Sequence, residues 1–166
     1  EDLFVGEQGK VIPGLESMVD RLPIQSRRSF LVGGLPLDAD KRTHYLAAFD
    51  KLLAMVKAIH DAKLHLVIGT DNLGGLYLDH ELELYVRAKI PVADVLRIAT
   101  LDSARELGID AKTGSIAKGK LADMFVVDGD PLADIKSISH VVSTMKGGAV
   151  YRIDALLHAV SVAPAK

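Results

Sequence analysis

The chain has 166 residues, 49% of them hydrophobic and 25% charged, with a formal net charge of -2. That composition suits one globular domain, and a near-neutral chain without a polybasic patch argues against nucleic acid or an anionic membrane as partner. It has no cysteine, which excludes disulfides, thiol catalysis and cysteine-bound zinc and leaves the compartment open. No apolar run approaches the roughly 20 residues of a membrane-spanning helix. A first residue of Glu rather than Met raises the expectation that the natural N-terminus lies upstream.

Residues 1–40 mix Pro13, Pro23 and Pro36 with several glycines and carry the basic pair Arg27 and Arg28. This pattern predicts a long loop with at most one short helix, the kind of loop that often binds ligands. From residue 41 to 62 the period changes. Tyr45, Phe49, Leu52, Val56 and Ile59 recur at helical spacing, widened by Leu46, Leu53 and Met55, with Asp38 or Asp40 as caps.

Residues 64–69, Leu-His-Leu-Val-Ile-Gly, are short, apolar and β-branched, and read as a strand buried on both faces. Alternation puts Val67, Gly69 and Asp71 on one face and Leu64, Leu66 and Ile68 on the other. Asn72-Leu73-Gly74-Gly75 is then a turn. Helices follow over residues 79–88 and 92–99, with Pro91 suited to a first turn and Thr100 placed to cap a further helix that Gly108 stops. Beyond Gly108, glycines punctuate β-type runs at 122–128, 138–146 and 149–152, the pattern of an antiparallel sheet with tight turns. A short helix is expected over 154–160, and Gly108 is the candidate domain boundary.

One strand of the parallel type cannot stand alone, because its buried N–H and C=O groups need partners on both edges. The helical part offers no second such strand. The sheet it belongs to is therefore expected elsewhere, in a missing part of the chain or in another chain.

Several motifs in order carry a family resemblance. His60-Asp61-Ala62-Lys63-Leu64-His65-Leu66-Val67-Ile68-Gly69-Thr70-Asp71 resembles the last helix–strand step of the barrel in the amidohydrolase superfamily, nearest to its imidazolonepropionase-like and prolidase-like metal-dependent hydrolases. His80-Glu81-Leu82-Glu83-Leu84 and the run from Ile90-Pro91 to Ala99-Thr100 resemble its final helices. Gly114-Ser115-Ile116 through Ala122-Asp123, Asp128-Gly129-Asp130-Pro131 and Met145-Lys146-Gly147-Gly148 resemble the return into a small β-sandwich.

The resemblance implies an α/β fold: the last part of a (β/α)8 TIM barrel over 1–108 and strands of an accessory β-sandwich over 109–166. The barrel is incomplete here, since a whole one needs roughly 250 residues. It implies one or two divalent metals, zinc by family habit, in the intact enzyme. It also implies hydrolysis of an amide, cyclic amide or dipeptide C–N bond by metal-activated water.

On that reading Asp71, at the C-terminal end of the strand where barrel sites are built, is metal ligand and general base. An Asp there can equally cap the turn that follows. His80 is a candidate substrate contact or a surface residue. One of Arg27 and Arg28 could hold a substrate carboxylate bidentately, against the plainer reading of solvated charge. His65 is expected to be a hydrogen-bonded core histidine.

The family's His-x-His is absent, and His44, His60, His65, His80, His140 and His158 form no short-spaced ligand pair. The isolated chain should therefore lack a complete metal site. The partners implied are a small-molecule or dipeptide substrate and the rest of the barrel; a homo-oligomer is compatible. The rival readings are a non-catalytic binding or assembly domain and a deaminase of the same superfamily. Lys63 and Lys89 stand where that family usually has glycine after alanine at a helix end.

Overall fold

The computed structural model describes residues 19, 24, 27, 28, 39–70 and 76–159. Two compact units divide the chain, Glu1–Leu52 with Leu157–Lys166, and Leu53–Leu156. Of the loop expected over 1–40, Val19, Ile24, Arg27, Arg28, Ala39 and Asp40 are described, and all are helical.

Helix α1 spans Ala39–Asp61. Its inward residues are Leu46, Phe49, Leu53 and Val56, at alternating steps of three and four, while Tyr45, Leu52 and Met55 are exposed. The apolar stripe is thus narrower than the sequence suggested. The helix ends in a Schellman motif, with Lys63 N–H donating to His60 O at 3.0 Å and Leu64 N–H to Ile59 O at 3.2 Å. Helix α2, Leu76–Arg87, closes the same way through Lys89 and Ile90. Lys63 and Lys89 adopt φ of 57° and 68°, so both keep the left-handed turn that glycine would relieve.

Helix α3, Val92–Arg97, begins at the expected residue, with Pro91 as its N-cap. The anticipated break at Thr100 does not occur. The backbone passes through a π-turn at Ile98–Asp102 into α4, Ser103–Glu106, with right-handed helical angles at both junctions. Thr100 Oγ1 is turned back onto Leu96 O at 2.7 Å, so it is not available as a cap. Ser103 Oγ donates to Ile98 O at 2.7 Å, meeting a carbonyl of the widened turn. Gly108, at φ 66°, ends the rod as the sequence indicated.

The sheet is three-stranded and antiparallel in the order β1-β2-β3, with β1 Met124–Val127, β2 Val141–Lys146 and β3 Ala149–Arg152. Met124 faces Met145, which faces Val150. The β2–β3 turn uses Gly147 and Gly148 at φ 57° and 86°, the double positive φ of a type I′ hairpin. The stretch before β2, expected as strand from 138, is instead a 3-10 turn, Ile135–Ser139, whose start is held by Asp134 Oδ1 accepting from Lys136 N–H at 3.1 Å. Helix α5 is Ile153–Ala159.

The core of the second unit joins Leu82, Ile90, Val95, Ile98 and Ile135, with Leu66, Ile68, Tyr85 and Ile138 packed against it. Ile135, beyond Gly108, therefore shares a core with the helices before it.

Candidate functional site

The segment expected as a central strand, residues 64–69, belongs to no sheet among the described residues. Its burial still alternates with a period of two: Leu66, Ile68 and Thr70 are half-buried, and His65, Val67 and Gly69 are exposed, the alternation of an extended chain. Leu66 and Ile68 pack on the helical core. Val67, on the opposite face, is 51% exposed. No backbone N–H of residues 65–69 donates to a described residue. Among the described residues Tyr85 anchors it, its O–H donating to Val67 O at 3.1 Å. A strand motif is thus present without the neighbours that would make it a strand.

Asp71, the expected catalytic and metal residue, lies outside the described residues. His80 is half-buried on α2, one turn inside the helix rather than at its start. Arg27 is half-buried and Arg28 exposed, both in helical backbone. Their side chains therefore diverge by the ~100° step of a helix. They fall in the first compact unit, and His80 falls in the second. His65 is not a core histidine. Its side chain is 79% exposed, with Nδ1 at 2.5 Å from Glu106 Oε1, because the face it shares with Val67 has nothing packed on it among the described residues.

Around His80 the helix is acidic. Burial raises the Asp79 carboxyl above its ordinary range, and the like charge of Glu83 adds to this. Burial likewise raises Glu81, and it raises the Tyr85 phenol with help from Glu81.

A second polar cluster was not singled out from sequence. His60 is flanked by two carboxylates, Asp61 Oδ1 at 3.3 Å from Nδ1 and Asp94 Oδ2 at 3.2 Å from Nε2. Asp102 receives Arg97 Nε at 3.3 Å and Arg105 Nη1 at 3.1 Å. The Asp102–Arg105 spacing of three is visible in the sequence. Residues five apart, such as Arg97 and Asp102, lie on one face only where the helix is widened, so that pair depends on the π-turn. Among the described residues no group of three or more His, Asp or Glu side chains is arranged to hold a metal ion.

The comparisons with known proteins agree on one lineage. Adenine deaminase 1 of Latilactobacillus sakei subsp. sakei (strain 23K) is 28% identical over 102 residues, 58% of this chain and 17% of that protein. The crystal structure of a Xaa-Pro dipeptidase with bound methionine in the active site superposes with TM-score 0.57 at 28% identity, over 61% of this chain and 25% of that one. A putative prolidase from Bifidobacterium longum superposes with TM-score 0.56 at 27% identity, over 85% of this chain and 32% of that one. The chain therefore spans a third or less of each of these relatives. The likeness implies a barrel-type α/β fold. The family model described as "Amidohydrolase family" matches residues 26–151, and the chain belongs to that family.

Proposed function

We propose that this chain is the C-terminal part of a metal-dependent hydrolase that cleaves C–N bonds in an amide, cyclic amide or dipeptide. Residues up to Gly108 would form the end of the barrel, and those from 109 onward part of an accessory sandwich. One observation carries the reading. Residues 64–69 present an apolar face to the helices and leave their other face and their backbone N–H groups without described partners. Such a segment is stable only beside further strands, and the family match supplies the kind of protein in which those strands occur.

Amidohydrolases are generally metal-dependent, and zinc is the metal proposed. The described residues do not by themselves fit a metal, so no step is derived through one. The role assigned to this chain is proton transfer. The sequence alternation assigns Asp71 to the same side of the segment as Val67 and Gly69, and its proposed part is to accept the proton of the attacking water. His80 and one of Arg27 and Arg28 are proposed to contact the substrate.

The test is Asp71→Asn in the intact protein, with metal content measured alongside turnover. The expected loss is on the order of 10²- to 10⁴-fold; full turnover with metal bound removes Asp71 from the mechanism. The deaminase relative supports a second reading, an aminohydrolase. Assaying ammonia release from aminopurines against dipeptide cleavage separates the two. Neither activity from a metal-loaded intact protein would favour a non-catalytic domain.

A further inference from the structure

We propose that the cleft between the end of α1 and the π-turn binds a small carboxylate with an apolar body. The cleft has a volume of about 280 Å³ and is lined by Lys63, Leu64, Leu66, Arg97, Ile98 and Arg105, with His60, His65, Asp102 and Glu106. That volume is at the low end for ligand pockets and suits a molecule the size of an aromatic acid or a single amino-acid derivative.

The charge inside the cleft is uneven. Both oxygens of Asp102 are engaged, Oδ1 by Arg105 and Oδ2 by Arg97. Glu106 is engaged by His65. Arg97 is further shared with Asp94, whose Oδ1 lies 3.8 Å from its Nη2. The Lys63 ammonium is the lining cation for which no carboxylate partner is found among the described residues. Asp102 ties both guanidinium groups in place, and each retains further N–H donors for a planar carboxylate. Such tethering lowers the entropy lost when an anion is bound.

The cleft is not wholly polar. Leu64 lies in it at 62% exposure, beside Leu66 and Ile98. An inorganic anion would leave that surface wet, whereas a carboxylate carried on a ring or short alkyl chain would cover it while meeting the cations. Lys63 itself has φ 57°, a conformation that disfavours every residue but glycine. Lys89 shares that conformation away from the cleft, so strain alone does not mark the site; the convergence of charge and apolar surface does. The inference is argued from the cleft's own side chains and does not rest on the hydrolytic reading.

The experiment uses benzoate as probe and benzamide as its uncharged counterpart, titrated into the intact protein by ligand-observed NMR or calorimetry. Benzoate is expected to bind saturably with one equivalent, and benzamide at least about tenfold more weakly, since each charge-assisted bond is worth that much or more. The decisive variant is Lys63→Gly. It removes the unmatched cation and relieves the backbone, so benzoate affinity should fall about tenfold or more while the urea midpoint rises. A loss of binding cannot then be blamed on misfolding. Arg105→Gln should weaken benzoate similarly. No saturable benzoate binding, equal affinity for benzamide, or undiminished affinity in Lys63→Gly each overturns the proposal.

Discussion

Lys63 and Lys89 hold the same left-handed backbone, at φ 57° and 68°, each as the residue after the last turn of a helix that ends on a 6→1 and a 5→2 hydrogen bond. For an L-residue with a Cβ that conformation costs on the order of 1 kcal/mol. Lys89→Gly is therefore expected to stabilise the chain by up to about 1 kcal/mol, offset in part by the greater freedom of glycine when unfolded. Urea unfolding at neutral pH measures it. An unchanged or lower midpoint would mean that the helix end re-forms differently.

Gly114 shows the opposite case. It sits at φ 80°, and a Cβ built there would stand 2.6 Å from Ala104 Cβ and 3.1 Å from Leu101 Cα. Neither neighbour is the end of a flexible side chain. Gly114→Ala combines strained backbone with overpacking against the π-turn rod, and should destabilise by about 2–3 kcal/mol. A loss under about 0.5 kcal/mol in the urea midpoint would show that the loop shifts without cost.

Tyr85→Phe tests the anchor of the 64–69 segment. Its hydroxyl bonds Val67 O at 3.1 Å, and a typical hydrogen bond contributes about 1 kcal/mol. Removing it should lower stability by about that much, read as a lower urea midpoint. An unchanged midpoint would show that the hydroxyl does not hold the segment.

Glu81→Gln addresses the acidic helix. Burial raises the Glu81 carboxyl above its ordinary range, so the folded state binds the proton more tightly than the unfolded one. Its contribution is least unfavourable below the ordinary carboxylate pKa and worsens as pH rises through the raised value. Glutamine should stabilise the chain at neutral pH by less than about 1 kcal/mol, since solvent still reaches the group. The gain should vanish at pH 3, where both side chains are neutral. A gain that persists in acid would point to packing instead of charge.

Much of this architecture was legible in the chain because it depends on local rules. The helical period of residues 41–62, the glycine stop at 108 and the paired glycines of the β2–β3 hairpin are each set by neighbours within four residues. The alternation of residues 64–69 was legible too, and it survives in the structure as a burial pattern.

What failed were inferences that needed distant partners or a choice between local options. Thr100 was expected to start a helix, but its hydroxyl bonds back four residues and the rod runs on through a π-turn. His65 was placed in a core and stands in solvent paired with Glu106. The start of the strand expected from 138 gave way to a 3-10 turn, Ile135–Ser139, whose Ile135 has a place in the helical core.

The candidate site divides along the same line. Family membership and the identity of Asp71, His80, Arg27 and Arg28 as candidates come from residue order, because motif spacing is a one-dimensional property. The meeting of His60 with Asp94, 34 positions apart, and of Lys63 with Arg97 and Arg105 around one cleft was decided only by folding. Side chains far apart in the chain acquire a shared environment when helices pack, and no local propensity encodes that environment.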